Sequence, residues 1–499
     1  MSNPKLKRSL GFGAAYAAST GLVVSGTAMV SLGNGFGTGG LAFAIPAFIG
    51  LIIITMVAIS YGELASMLPG GGMVGEYTLP ALGRLMAIIA VLGGYLVLVS
   101  ADGGTQLLVA GDSFESLTGF PAAAFSFGLL AILLVLNISG VDIFARVQIP
   151  VVFGMMGILA IMGVSGVLGI TGATPVDNPV LNTDWSTLAS MGAVAIWLYI
   201  GMEFVAPLAE EVKKPWKTIP LAMIIGVTTI FIVDVLFGWG ATRYADLAEM
   251  ASSSIPHVVG ATAIFGATGG LIMTVVTILA SFSTGNSYLA AIPRMLYGLA
   301  NEGLLPKWLS RVSRRTRVPW AGMLVTAGAM ASVLLYSTFT DGGIDLILNL
   351  ISIACTTWLI SYIIAQVDVI VLRRRYPSAR RPFKTPFYPV PQVLGIASCV
   401  YLIAFIVPEM EQRLVVWGSA GVILAAIALF AIIWLKRNRL PLFTPTDLIH
   451  TQTNIIVRSE SLGEGFEAAE TTDDASSTDE FAADGVRDAA RATDGRDPR

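Results

Sequence analysis

The sequence predicts an all-α integral membrane protein of twelve transmembrane helices, and three observations predict it. First, 55% of the 499 residues are hydrophobic and only 13% charged, about half the ~25% charge of soluble domains. Second, apolar stretches of about 20 residues, long enough for a ~30 Å hydrocarbon core, recur from near residue 12 to residue 435. Third, Lys and Arg fall in alternate connections between those stretches. Runs such as Ala42 to Ser60 and Leu221 to Gly238 are apolar all round, whereas spanning strands alternate apolar and polar residues.

Taken in order, the helices are expected near 12–38, 42–67, 84–110, 120–138, 146–171, 186–208, 219–241, 263–297, 319–338, 343–372, 390–408 and 413–435. With the N-terminus inside, the inner connections hold twenty-three Lys and Arg and the outer ones two, Arg243 and Arg413. Cytoplasmic loops are enriched in these residues, and a miscounted helix would scramble the alternation. Both termini are therefore expected in the cytoplasm. The basic start Lys5, Lys7, Arg8 leads into a first helix, not a cleavable signal.

Cys355 and Cys399 lie inside apolar runs, so there is no disulfide framework or metal-ligand spacing. His257 and His450 fall outside the expected spans. After Pro441 the apolar pattern stops, and Ser459 to Arg499 carries 12 acidic residues against 4 arginines. Low hydrophobicity at that charge predicts a disordered cytoplasmic tail over 441–499.

Two helices carry interruptions. Ser25-Gly26-Thr27 sits within the first, followed by Gly33, Gly35, Gly37, Gly39 and Gly40; Tyr199-Ile200-Gly201-Met202-Glu203 sits within the sixth. Where a membrane helix unwinds, freed N–H groups face anions and freed carbonyls face cations or ammonium groups. A zwitterionic amino acid needs that pair of partners. Small residues also let helices pack closely, but the breaks lie five helices apart, at corresponding places of two candidate five-helix repeats.

The chain then shows an ordered set of motifs. Tyr61-Gly62-Glu63-Leu64-Ala65-Ser66-Met67-Leu68-Pro69 precedes Gly70-Gly71-Gly72 and Glu76-Tyr77. Asn137-Ile138-Ser139-Gly140-Val141 and Ala145-Arg146-Val147-Gln148 follow. Next come Gly201-Met202-Glu203, Ala209-Glu210-Glu211-Val212-Lys213-Lys214-Pro215 and Ile219-Pro220. Arg294-Met295-Leu296-Tyr297, Asn301 to Pro306 and Arg380 to Pro386 complete it. This set resembles the amino acid–polyamine–organocation superfamily of permeases. The resemblance implies a five-plus-five inverted repeat with two extra helices: a cytoplasmic N-terminus 1–11, repeats 12–171 and 186–372, helices eleven and twelve in 373–440, and the tail.

It also implies a small-molecule substrate, an amino acid or amine, held between the broken helices. N–H groups around Ser25, Gly26 and Thr27 would hold a carboxylate. Carbonyls of Leu22, Trp197 and Ile200, beside Gly201, would hold the amino group, with Trp197 as an aromatic lid. A mid-membrane carboxylate is costly and is a functional candidate by default, so Glu203 is assigned to coupling or gating; satisfying freed N–H groups is its plainer role. Glu63 reads as structural. Asp102, ~27 Å along the third helix from Arg84 at 1.5 Å per residue, is expected near the outer mouth, more as a cap or hydrated rim group than as an attractor of cations. Asp234 and Asp368 receive no role.

Some proton-coupled relatives carry a lysine on the fifth helix that stands in for sodium; here that position is Met155. The eighth helix offers Ser281, Ser283 and Thr284, and a sodium site is expected among Val23, Ser283 and Thr284. The coupling ion is thus Na+ or H+, and no other cofactor is expected. Thr356 and Thr357 on the tenth helix are candidates for the side-chain pocket. HExxH, G-x-S-x-G and GxxxxGK[ST] are absent from the sequence, which leaves an enzyme or a nucleic-acid partner without support. The alternatives of another class are a nutrient sensor on the same fold and a polyamine or inorganic-ion cotransporter.

Overall fold

A computed structural model describes residues 9–185, 188, 191–253, 255–339, 343–407 and 410–452; the acidic run from Ser459 lies outside the described residues. Those residues form helices and no named strand. The order is α1 (Phe12–Val23), α2 (Gly26–Gly39), α3 (Ala44–Met67), α4 (Val74–Ala81), then α5, in which Arg84–Ile88 passes through a π-helical stretch, Ile89–Leu96, into Val97–Thr118. Next are α6 (Ala122–Ile138), α7 (Val141–Leu168), α8 (Gly192–Trp197), a 3-10 turn Met202–Leu208, α9 (Pro215–Thr242) and α10 (Leu247–Ser252). The series ends with α11 (Pro256–Asn301), α12 (Trp320–Phe339), α13 (Gly343–Arg375), α14 (Val390–Ala404) and α15 (Met410–Arg437).

Among the described residues eight helical stretches are long and apolar enough to cross a membrane, and four shorter apolar ones accompany them. Helices satisfy their own backbone groups, which hydrocarbon cannot do. Large apolar side chains such as Phe48, Ile161, Val422 and Leu429 stay exposed on the outside of the bundle; an apolar sleeve of that kind suits lipid, not water. The chain is a multi-pass membrane protein.

Three elements differ from the sequence expectation. The third helix runs on to Thr118 instead of ending near 110, which moves Asp102 from the expected outer mouth to the middle of the helix, where it is buried. The eighth begins at Pro256 and bends at Phe265 and Gly266, so His257 lies inside helix, buried, its Nε2 2.9 Å from Thr277 Oγ1. Residues 441–452, expected to open the tail, cross the basic end of the bundle as a strap. Leu85 N–H donates to Leu442 O (3.0 Å) and Thr446 N–H to Leu79 O (3.0 Å). Leu448 N–H reaches the Tyr376 hydroxyl at 3.4 Å and Gln452 Nε2 reaches Met67 O at 3.3 Å.

Candidate functional site

The first and sixth spans are both discontinuous, and the breaks adjoin. α1 stops at Val23, the chain extends through Val24 and Ser25, and α2 restarts with Ser25 as its cap, its Oγ accepting from Ala28 N–H at 3.1 Å. A serine at this position satisfies one of the first-turn donors that a helix start leaves open. α8 ends at Trp197, and the chain turns through Gly201 at φ +110° into the 3-10 segment. That backbone region favours glycine because a Cβ collides with the following carbonyl. A side chain at Gly201 would meet Leu22 and, at 3.4 Å, the tip of Trp358. Ser19 Oγ donates to Met202 O at 2.7 Å and ties α1 to the sixth-span segment.

Glu203 is fully buried and held by three donors. Its Oε1 accepts from Tyr95 OH (3.1 Å) and Trp358 Nε1 (2.9 Å), and its Oε2 from Tyr362 OH (2.6 Å). Gly201 N–H in turn donates to the Tyr362 hydroxyl at 3.2 Å, so the carboxylate meets the broken turn through a tyrosine. Tyr95 and Trp358 also pack on Phe204, with ring centroids 5.6 and 5.9 Å away, and Tyr288 stands 5.4 Å from it. The aromatic whose tip approaches Gly201 is Trp358; Trp197 is only partly buried, packed against the core. Thr356 and Thr357 bond their own helix at Ser352 O and Ala354 O, so α13 reaches the site through Trp358 and Tyr362.

Beside the first break lies Gln106, which belongs to no motif. Gln106 Oε1 accepts from Gly26 N–H at 3.2 Å, the donor expected to hold a carboxylate. Its Nε2 donates to Thr27 Oγ1 (2.8 Å) and Asp102 Oδ1 (3.2 Å). Tyr288 OH donates to Asp102 Oδ2 at 2.6 Å. A Cβ on Gly26 would sit 3.2 Å from both Gln106 Oε1 and Ser281 Oγ. Ser281 is fully buried, and its hydroxyl has no hydrogen-bond partner.

Below the break, Ser283 Oγ donates to Gly21 O at 2.5 Å and Thr284 Oγ1 to Leu22 O at 3.3 Å. The carbonyls facing these hydroxyls are thus Gly21 and Leu22; Val23 O accepts from Ser25 N–H at 2.8 Å instead. Met155 is buried apolar packing. The fifth-span group at this place is Gln148, whose Nε2 donates to Ser283 Oγ (2.8 Å) and Ser287 Oγ (3.1 Å), while its Oε1 accepts from Asn286 (2.6 Å). Four hard oxygens converge here, a donor set that suits sodium, each hydroxyl being turned onto a carbonyl. Among the described residues no group of three His, Cys, Asp or Glu could hold a metal ion.

The basic end is latched. Arg294 Nε and Nη2 donate to Glu211 at 2.8 and 2.9 Å, both side chains buried, and Arg294 Nη1 also reaches Ala290 O. Leu10 pairs with the same loop, Leu10 N–H to Glu211 O (3.0 Å) and Lys213 N–H to Leu10 O (2.8 Å). Glu63 accepts from Arg373 Nε at 2.7 Å and Thr385 N–H at 2.8 Å. Asp368 accepts from Thr78 at 2.7 Å.

A family model described as amino acid permease matches residues 10–457. The chain is 26% identical over 446 residues to the branched-chain amino acid permease BcaP of Bacillus subtilis, covering 84% of this chain and 92% of the relative. It is 25% identical over 439 residues to a methylthioribose transporter of the same organism, covering 80% and 89%. In structure it is similar to a manganese transporter of Eremococcus coleocola, with a TM-score of 0.57 at 11% identity over 87% of this chain and 98% of that one; at that identity the likeness concerns the fold alone.

Proposed function

The chain belongs to the amino acid permease family, and we propose from that premise that it is a secondary transporter moving amino acids or related amines across the cytoplasmic membrane by alternating access. Its relatives are transporters, not enzymes. The reading takes twelve spans, five plus five in inverted repeat with two beyond, and both termini in the cytoplasm. The observation that carries it is the pair of adjoining breaks at Val24 to Ser25 and at Gly201. Unwound helix at membrane depth is tolerated where it lines a site.

In this reading the α2 start and the carbonyls of Leu22, Trp197 and Ile200 take the substrate's two charges. Gln106 holds Gly26 N–H until a carboxylate displaces it. The Glu211–Arg294 latch and the Leu10 pairing keep the inner side shut, and their release opens it. Coupling to sodium would use Ser283, Thr284 and the Gly21 and Leu22 carbonyls, each hydroxyl turning off its carbonyl to offer a lone pair. Coupling to protons would use Glu203.

Labelled amino acids and amines offered to proteoliposomes, under an imposed sodium or pH gradient, test the reading. Accumulation that collapses with the gradient supports it. Binding without any flux would instead make the chain a sensor.

A further inference from the structure

Two buried carboxylates flank the broken helices, and neither has a cationic partner. Glu203 is met by two tyrosines and a tryptophan, Asp102 by Tyr288, Gln106 and Thr27. Ion pairs at the basic end hold Arg294, Arg373 and Arg381 instead. Glu203's hydrogen bonds close it off. Asp102 differs: a carboxylate offers about four acceptor positions, and the hydrogen bonds from Tyr288, Gln106 and Thr27 leave one open.

Asp102 also adjoins the place where a substrate would sit. Gln106 connects it directly to Gly26 N–H and Thr27. Ser281 Oγ, buried and without a partner, points at the same Gly26 position. Tyr288, its strongest donor, packs against Phe204 in the aromatic group with Tyr95 and Trp358. A buried acid lacking a counter-ion is expensive, and the aromatic group that Tyr288 joins it to attracts the same kind of partner, an organic cation.

We infer that Asp102 is a substrate-binding residue selecting an amino acid or amine whose side chain carries a positive charge, a guanidinium or ammonium group, with Ser281 as a further acceptor in that pocket. This rests on the transporter reading above. A neutral substrate would leave Asp102 buried and uncompensated; a cationic one supplies the missing charge when it binds.

Arginine and citrulline decide the matter, because they share shape and length and differ in the charge of the terminal group. Their competition is measured on the purified full chain, and their uptake in proteoliposomes. Arginine is expected to compete at least tenfold better than citrulline, a difference of about 1.4 kcal/mol. In Asp102→Asn, which keeps a side chain able to accept from Tyr288, the preference should shrink below about threefold while citrulline binding stays within about twofold of wild type. Tyr288→Phe, which removes a donor and leaves the charge, should retain the preference and serves where Asp102→Asn fails to fold. Equal competition by citrulline in wild type overturns the inference and leaves the transporter reading standing if neutral amino acids accumulate. Equal loss of both ligands in Asp102→Asn, or loss of the preference in Tyr288→Phe, overturns it as well, since either would mark a purely structural role. Failure of every amino acid and amine to bind or move removes the transporter reading and the inference together.

Discussion

Replacing Arg294 by Met should destabilise the protein by about 3–5 kcal/mol, because it leaves Glu211 buried without its guanidinium. Both partners are at most 2% exposed, and the bond is two-pronged at 2.8 and 2.9 Å, so little solvent is available to take over. At ~1.4 kcal/mol per decade, the folded-to-unfolded ratio falls by about two to three and a half decades. Glu211→Gln should cost a comparable amount from the other side, since the buried Arg294 then loses its counter-charge and one of the two oxygens it donates to. The two substitutions together remove both charges, and well-packed apolar replacements of buried ion pairs are often neutral or stabilising. The double variant should therefore lie well above the sum of the singles, with a coupling of about 2 kcal/mol or more, against ~0.5 kcal/mol for independent sites. Reversible unfolding in mixed micelles, titrated with a denaturing detergent and followed by tryptophan fluorescence, gives all four corners of the cycle. A coupling near ~0.5 kcal/mol would refute the reasoning.

Gly26→Leu should abolish substrate binding while the protein remains extractable, since its Cβ already stands 3.2 Å from Gln106 Oε1 and Ser281 Oγ; an unchanged Kd would show that the carboxylate is held elsewhere. Gly201→Ala, at φ +110°, should cost at least the ~1–2 kcal/mol of a left-handed residue, read as a lowered melting temperature, and a wild-type melt would mean that the turn relaxes. Ser283→Ala should weaken any sodium dependence of uptake, because it removes an oxygen set among the Gly21 and Leu22 carbonyls; full sodium dependence in that variant counts against the site. If protons drive transport instead, Glu203→Gln should lose accumulation under a pH gradient and keep counterflow exchange. Retained pH-driven accumulation would exclude Glu203.

Much of the fold was legible because a bilayer demands long apolar helices, which composition reveals directly. The breaks were legible too: Ser25 is a capping residue, and Gly201 supplies a backbone angle that other residues avoid. What surrounds the breaks was not. Tyr95, Trp358 and Tyr362 reach Glu203 across sequence separations of 108, 155 and 159 residues, and in an apolar span an aromatic that donates to an acid looks like one that meets lipid. Trp197 lies beside the glycine in sequence, but the aromatic whose tip approaches Gly201 in space is Trp358. Asp102 was misplaced because the helix was ended near 110; its real extent to Thr118 turns a rim residue into a buried one. Gln106 and Gln148 carry no local signature, since an amide can face almost any partner.

The strap over residues 441–452 bears on how this chain can be handled. Its bonds to Leu79, Leu85, Met67 and Tyr376 mean that the helical bundle does not end where the last membrane helix does. A purification tag or fluorescent reporter fused directly after Arg439 would strip a surface that buries Leu448 and Thr451. One joined after Gln452 leaves it covered and emerges beside the end of α3, a fixed vantage point for distance measurements against labels on neighbouring loops.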